Sequence, residues 1–202
     1  MVDPITVLAF VPAALALNLT PGADMMFCLG QGMRFGPRAS VAASAGVALG
    51  GMVHVTLAGL GLGAVVAALP WAFDVIRWIG VGYLLWLAVQ TWRSSGAVPA
   101  VLPAPKSAFR SGLIVNLTNP KVILFVLAFV PQFVVPEAGP VLLQFLVLGS
   151  VLSLGGFIIN ALVGVFASGL GRRMVGGGQA LRWISSGIFI ALAARLAILE
   201  RT

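Results

Sequence analysis

Six apolar segments, roughly 5–33, 39–68, 71–92, 111–134, 141–170 and 179–200, follow one another along the chain with little polar sequence between them. A helix needs about 20 mostly apolar residues to cross a bilayer. Backbone groups in lipid must pair within their own segment, which forces such segments to be helical. The pattern therefore predicts an all-α integral membrane protein of about six transmembrane helices, with the lipid bilayer as its solvent. Composition agrees: 60% of the 202 residues are hydrophobic and 8% are charged, against about 25% charged in soluble domains. Segments one, two and five exceed the minimum length, so each must tilt, break or protrude.

The few polar features exclude several classes. A net charge of +7 does not mark a nucleic-acid partner, because the arginines sit between apolar runs rather than on one soluble face. Cys28 is the only cysteine, so an intrachain disulfide is impossible, and it reads as a small buried apolar residue. One histidine and one cysteine make a metal site improbable. No Walker sequence is present to couple ATP, and no cofactor is expected. The start, Met1-Val2-Asp3-Pro4, lacks the positive region of a secretory signal and reads as mature protein.

Lys and Arg in the connections set the orientation. Arg34, Arg38, Arg93, Lys106, Arg110, Arg172 and Arg173 fall after segments one, three and five, whereas Glu137 lies in a connection without Lys or Arg. The first set is expected to face the cytoplasm, with both termini outside. If the first segment does not fully cross, the N-terminus moves inside. Trp71, Trp78, Trp92 and Trp183 lie near segment ends, as interfacial anchors do. The stretch 93–110 is the longest connection and carries three prolines. It divides a single transmembrane domain over 1–202 into repeat one (1–92), a cytoplasmic loop (93–110) and repeat two (111–202). With three spans in each half, the halves enter the membrane in opposite senses. Related halves would then form an inverted repeat, a plan common in secondary transporters.

The halves share a local motif. Segment one contains Asn18-Leu19-Thr20-Pro21-Gly22-Ala23-Asp24, and segment four contains Asn116-Leu117-Thr118-Asn119-Pro120-Lys121. A proline removes one N–H and pushes aside the carbonyl four residues back, so Pro21 frees the carbonyl of Leu17 and Pro120 that of Asn116. Thr20 and Asn119 suit N-caps, with proline at the first helical position. Each motif is expected to end one half-helix and start another. The restarted end offers N–H groups and a positive dipole to a carboxylate, and the freed carbonyls suit an ammonium. Together they suit a zwitterion.

Asp24 and Lys121 each lie about nine or ten residues from the inner end of their segment, roughly 15 Å deep in a ~30 Å core. Each charge costs about 2.5–3.5 kcal/mol there on insertion scales. Two readings stand: a structural ion pair that locks the breaks together, or a site in which Asp24 binds the substrate ammonium or a proton while Lys121 and the half-helix ends hold the carboxylate. Asp24 is the only acid deep within a segment, which makes it the first candidate for proton coupling.

These residues resemble a known family. Thr20-Pro21-Gly22-Ala23-Asp24-Met25 is similar to the TPGPDM-type motif of the lysine exporter (LysE/RhtB) superfamily of bacterial amino-acid efflux proteins, with Ala23 standing where a second proline is usual. Phe109-Arg110-Ser111-Gly112-Leu113, Asn116 through Lys121 and Phe129-Val130-Pro131-Gln132-Phe133 resemble its second signature. Tyr83 through Leu87, and the Arg172-Arg173 loop leading to Gly187 and Arg195, match as well. The resemblance covers nearly the whole chain. It implies six spans in two inverted halves, with broken helices one and four, in a bacterial cytoplasmic membrane. It also implies export of amino acids or close derivatives driven by the proton gradient, without naming the amino acid.

Other polar residues carry two readings each. His54, mid-way along segment two, either relays protons or bonds to a neighbouring span. Tyr83 and Asn160 must find partners in lipid and are candidates to line a cavity. The pairs Gly46/Gly50 and Gly59/Gly63, with Gly155 and Gly156, read as close-packing positions, and a homodimer contact through them is open. The expected site is thus Asn18, Thr20, Pro21, Gly22, Asp24, Asn116, Asn119, Pro120 and Lys121. The alternatives are efflux of another solute or a cation by the same architecture, an intramembrane hydrolase using His54 with Ser44 or Ser153, and a non-transporting scaffold.

Overall fold

The computed structural model describes residues 2–68, 72–93 and 107–170, together with isolated helical positions between 183 and 197. Among these residues every regular element is helical: α1 (Pro4–Leu19), α2 (Ala23–Phe35), α3 (Pro37–Ala68), α4 (Ala72–Arg93), α5 (Ala108–Leu117), α6 (Pro120–Ala128) and α7 (Val141–Leu170). Two 3-10 turns, Val130–Phe133 and Pro136–Ala138, join α6 to α7. The loop residues 94–106, including Ser95 and Lys106, lie outside the described residues, as do Trp71, Arg172, Arg173, Arg195 and Arg201.

Local chemistry sets the ends. Asp3 caps α1 by accepting from the Ile5 N–H at 3.0 Å, and Pro4 occupies the first turn. Ser107 caps α5 through Arg110 N. Between α2 and α3 the chain reverses at Gly36, whose φ of 86° is open to glycine at no steric cost. Beyond α6, Gln144 holds the connection to α7: its amide oxygen accepts from Val135 N at 2.9 Å and its amide nitrogen donates to the Val135 and Gly139 carbonyls at 2.8 and 2.9 Å.

Two helices, α3 over Pro37–Gly61 and α7 over Val141–Gly169, are each long and apolar enough to cross a membrane. Two further spans arise only if bent pairs are joined: α1 with α2, bent by 56°, and α5 through Phe133, bent by 54°. The described residues thus hold two to four candidate spans. Their outward residues are apolar, among them Leu57, Leu60, Leu154 and Phe166, as a lipid-facing surface requires.

Helix α3 is the centre of the packing and lies mainly against α7 and α5. Its glycines make that approach possible. A Cβ at Gly46 would collide with the Phe109 carbonyl oxygen, and one at Gly59 would press on the Phe145 and Leu142 side chains. Gly32 of α2 meets the backbone of Gly164 in the same way. Without a hydrophobic force between helices in lipid, close backbone approach supplies the contact energy. The glycine pair Gly46/Gly50 is therefore spent inside the chain. On the other side, Phe10 of α1 packs with Phe125, Phe129 and Phe133, at centroid separations of 5.2–6.5 Å. A last helical stretch borders α4, where Ser186 Oγ donates to the Ala88 carbonyl at 2.8 Å and the Trp92 and Trp183 rings lie 5.2 Å apart.

Candidate functional site

Both breaks fall where the prolines require, but they are built differently. At the second, Asn119 is the N-cap of α6: its Oδ1 accepts from Lys121 N at 3.0 Å, with Pro120 in the first turn. At the first, Thr20 does not cap α2. Its hydroxyl turns back to the Ala16 carbonyl at 2.6 Å, the chain stays extended from Thr20, and α2 starts only after Gly22, which has no side chain to cap it. A threonine hydroxyl held by its own helix has no lone pair aimed at the next one. Thr118 makes the equivalent bond to Ile114 at 2.9 Å. The first break bends as far as the second despite Ala23, 56° against 54°, and three non-helical residues, Thr20, Pro21 and Gly22, make it.

The carbonyls that the prolines release are both occupied by side chains from elsewhere in the chain. Lys121 Nζ donates to the Leu17 carbonyl at 2.7 Å and to the Thr20 carbonyl at 2.8 Å. Its side chain crosses over Gly22, where a Cβ would stand 3.2 Å from Nζ. His54 Nε2 lies 3.1 Å from the Asn116 carbonyl. The acceptor there is a carbonyl, so Nε2 carries the proton in this contact. Tyr83 reaches the Pro120 carbonyl at 3.5 Å. His54 thus bonds to a neighbouring helix, and Ser44 donates to the Ser40 carbonyl at 2.8 Å.

The two asparagines of the repeated motif dock in matching fashion. Asn18 lies on Gly155 and Gly156 of α7 and donates to the Leu152 carbonyl at 3.0 Å. Asn116 lies on Gly50 of α3, so each break packs its asparagine on glycine of the unbroken helix from the other half. Asn116 Nδ2 then donates to Asp24 Oδ2 at 2.9 Å. The Lys121 ammonium and the His54 ring lie within electrostatic reach of Asp24, yet the bonds of Lys121 go to carbonyls and not to the carboxylate.

Thr20, Gly22, Asp24, His54, Tyr83, Asn116, Asn119, Pro120 and Lys121 thus converge on one polar cluster, with Pro21 at the first break, while the Asn18 side chain docks on α7. Asn160 is buried on α7, two turns beyond Leu152, and takes no part in these bonds. Ser153, which no motif marked as a site residue, lies with its hydroxyl against Gly51 of α3. Its neighbours Leu152 and Gly155, one turn of a glycine-bearing helix, were the available signal.

Asp24 Oδ1, Asn116 Oδ1, Asn119 Nδ2 and, on α7, Ser153 Oγ are buried without a well-formed hydrogen bond, although the Asn119 side chain lies beside the Asp24 carboxylate. Asn116 and Asn119 are 3% and 4% exposed. An unpaired buried polar group costs about 1–3 kcal/mol. Among the described residues no group of three or more His, Cys, Asp or Glu is arranged to hold a metal ion.

The chain matches the family described as LysE type translocator over residues 15–200. It is 37% identical to the homoserine/homoserine lactone efflux protein of Salmonella typhimurium over 70% of each chain. It is 30% identical to the leucine efflux protein of Enterobacter sp. over 95% of this chain and 94% of that one. An uncharacterized membrane protein of Vibrio cholerae is 38% identical over 70% of this chain and 71% of its own. No solved structure matches. The family match spans both broken helices and the polar cluster between them, and the chain therefore belongs to the LysE type translocators, a family of membrane transport proteins.

Proposed function

We propose that the chain is a secondary transporter exporting amino acids or close derivatives across the bacterial cytoplasmic membrane in exchange for protons. Six spans form two inverted repeats, 1–92 and 111–202, joined by a cytoplasmic loop at 93–110, and both termini face outward. The observation that carries this reading is the cluster of unpartnered polar atoms, Asp24 Oδ1, Asn116 Oδ1 and Asn119 Nδ2, buried where two broken helices meet in an apolar chain. Support for the inverted repeat comes from the matched docking of Asn18 on α7 and Asn116 on α3. Support for the substrate comes from the relatives, which are named for efflux of leucine and of homoserine and its lactone. All three molecules carry a primary amine. Asp24 is the residue that exchanges proton for amine, with His54 the second candidate for proton coupling. Alternating access rocks one half against the other around the breaks.

The test is efflux from right-side-out vesicles loaded with labelled leucine or homoserine, with and without an acidic exterior. Faster efflux in vesicles carrying the protein, accelerated further by the imposed gradient, is the expected result. If the protein moves no amino acid at all, the proposal fails and another solute must be sought. If efflux ignores the gradient, the proton exchange fails alone.

A further inference from the structure

Helices α3 and α7 run antiparallel, in a register fixed by their glycines: Phe145 lies on Gly59, Val55 on Gly149, Ser153 on Gly51 and Ser40 on Gly164. The seam between them changes character along its length. Towards Glu137 it is apolar, with Val55, Phe145 and Leu148 in the core. From Gly51 to the end near Arg38 the same faces turn polar. Ser40, Ser44 and Gly51 recur at helical spacing on α3, and Ser153, Asn160 and Gly164 do so on α7. The register puts Asn160 level with Ser44. Cys28 of α2 borders the seam, with Ser44 beside its thiol and Asp24 one turn back on its own helix.

Two hydroxyls of this polar half, Ser40 Oγ and Ser153 Oγ, have no well-formed hydrogen bond, although their residues are only 0% and 8% exposed. A helical serine commonly bonds back to its own helix, as Ser44 does to the Ser40 carbonyl at 2.8 Å. Ser40 and Ser153 instead aim across the seam at a glycine of the facing helix.

We propose that the polar half of this seam is the water-filled leg through which Asp24 releases its proton to the cytoplasm. In this structure the leg is shut at its cytoplasmic end, where Gly32 of α2 meets the Gly164 backbone. Helices α2 and α7 belong to opposite halves, so the rocking of one half against the other parts that contact. Water entering there meets hydroxyls that both donate and accept, and a buried water makes about three hydrogen bonds to such groups. Protonated Asp24 passes its proton to the nearest water, which leaves a carboxylate and a hydronium, and the excess proton departs along the water chain. Among the described residues the titratable groups that face Asp24 are Lys121, His54 and Cys28, and α7 carries none. The apolar half of the seam offers water no such partners. This inference rests on the reading of Asp24 as the proton-exchanging residue and adds the route.

The experiment places single cysteines in a Cys28→Ala background: Ser44→Cys and Ser153→Cys in the polar half, Val55→Cys and Leu148→Cys in the apolar half. Inside-out vesicles are treated with 2-aminoethyl methanethiosulfonate, with free cysteine trapped in the lumen. The reagent attacks the thiolate, which needs water, so the polar pair should react more than about tenfold faster than the apolar pair. A smaller ratio overturns the proposal. A second measurement needs no new thiol. The double variant Ser40→Ala, Ser153→Ala loses no bonded partner, so its thermal unfolding midpoint should not fall; a lower midpoint would mean that the hydroxyls are bonded within the fold, against the proposal. Its gradient-driven leucine efflux should drop more than about threefold relative to leucine–leucine exchange, which moves no net proton, and an unchanged ratio also overturns the proposal. If the wild type moves leucine in neither mode, the transport reading falls by itself, and the labelling ratio still decides whether the seam carries water.

Discussion

At the scale of single residues, the cluster divides its two charges between different tasks. Lys121 is a structural cation: it closes the first break by filling the carbonyls of Leu17 and Thr20. Lys121→Met should leave both unpaired at about 1–3 kcal/mol each, seen as a lower thermal unfolding midpoint in detergent. An unchanged midpoint would mean that water replaces the ammonium without loss. Asp24 instead keeps one oxygen free. Asp24→Asn should insert and fold normally, since Asn116 still has an acceptor, yet lose gradient-driven efflux. The pairing of an ammonium with a carbonyl freed by Pro21 was legible in the sequence as a possibility. That the ammonium belongs to Lys121 was not, because nothing in a linear motif says which distant side chain reaches it.

At the scale of elements, proline and glycine do most of the shaping. The two breaks fall at Pro21 and Pro120, whose missing N–H and ring clash disfavour continuing the helix, although Pro12 is carried inside α1 without a break. Their capping differs because Thr20 bonds within its own helix while Asn119 faces forward. Asn119→Ala should accordingly cost about 1 kcal/mol of stability as a lost N-cap, measurable in the same unfolding assay. Glycines set how close the helices come. Gly46→Val drives a side chain into the Phe109 carbonyl and should cost about 3 kcal/mol, visible as loss of monodisperse protein on size exclusion. Gly61→Val, in open space, should be silent in that measurement. A spacing of GxxxG marks a close contact but does not name the partner, and here the partners, α5 and α7, come from the other half of the chain.

At the scale of the whole molecule, orientation is the property that transport needs most. Lys and Arg placement predicts the α2–α3 connection inside and the α6–α7 connection outside. An impermeant maleimide should label Glu137→Cys on intact cells and Arg38→Cys only after permeabilisation; both positions are exposed. The native Cys28 is fully buried and should stay silent. The reverse labelling pattern would invert the proposed direction of export. Most helix ends were readable to within about three residues, the exception being α6, which stops at Ala128 where the fourth segment was read to 134, since a bilayer dictates length and a proline or glycine often dictates where a helix stops. Those are local rules, so the sequence by itself determined that the chain is helical and apolar and where its first and fourth segments break. Only the tertiary structure decided that Asn116 bonds Asp24, that His54 takes the Asn116 carbonyl and that Lys121 is already engaged. Those contacts join residues 62 to 104 positions apart, and their identity depends on which helix faces align when the glycines let the backbones meet.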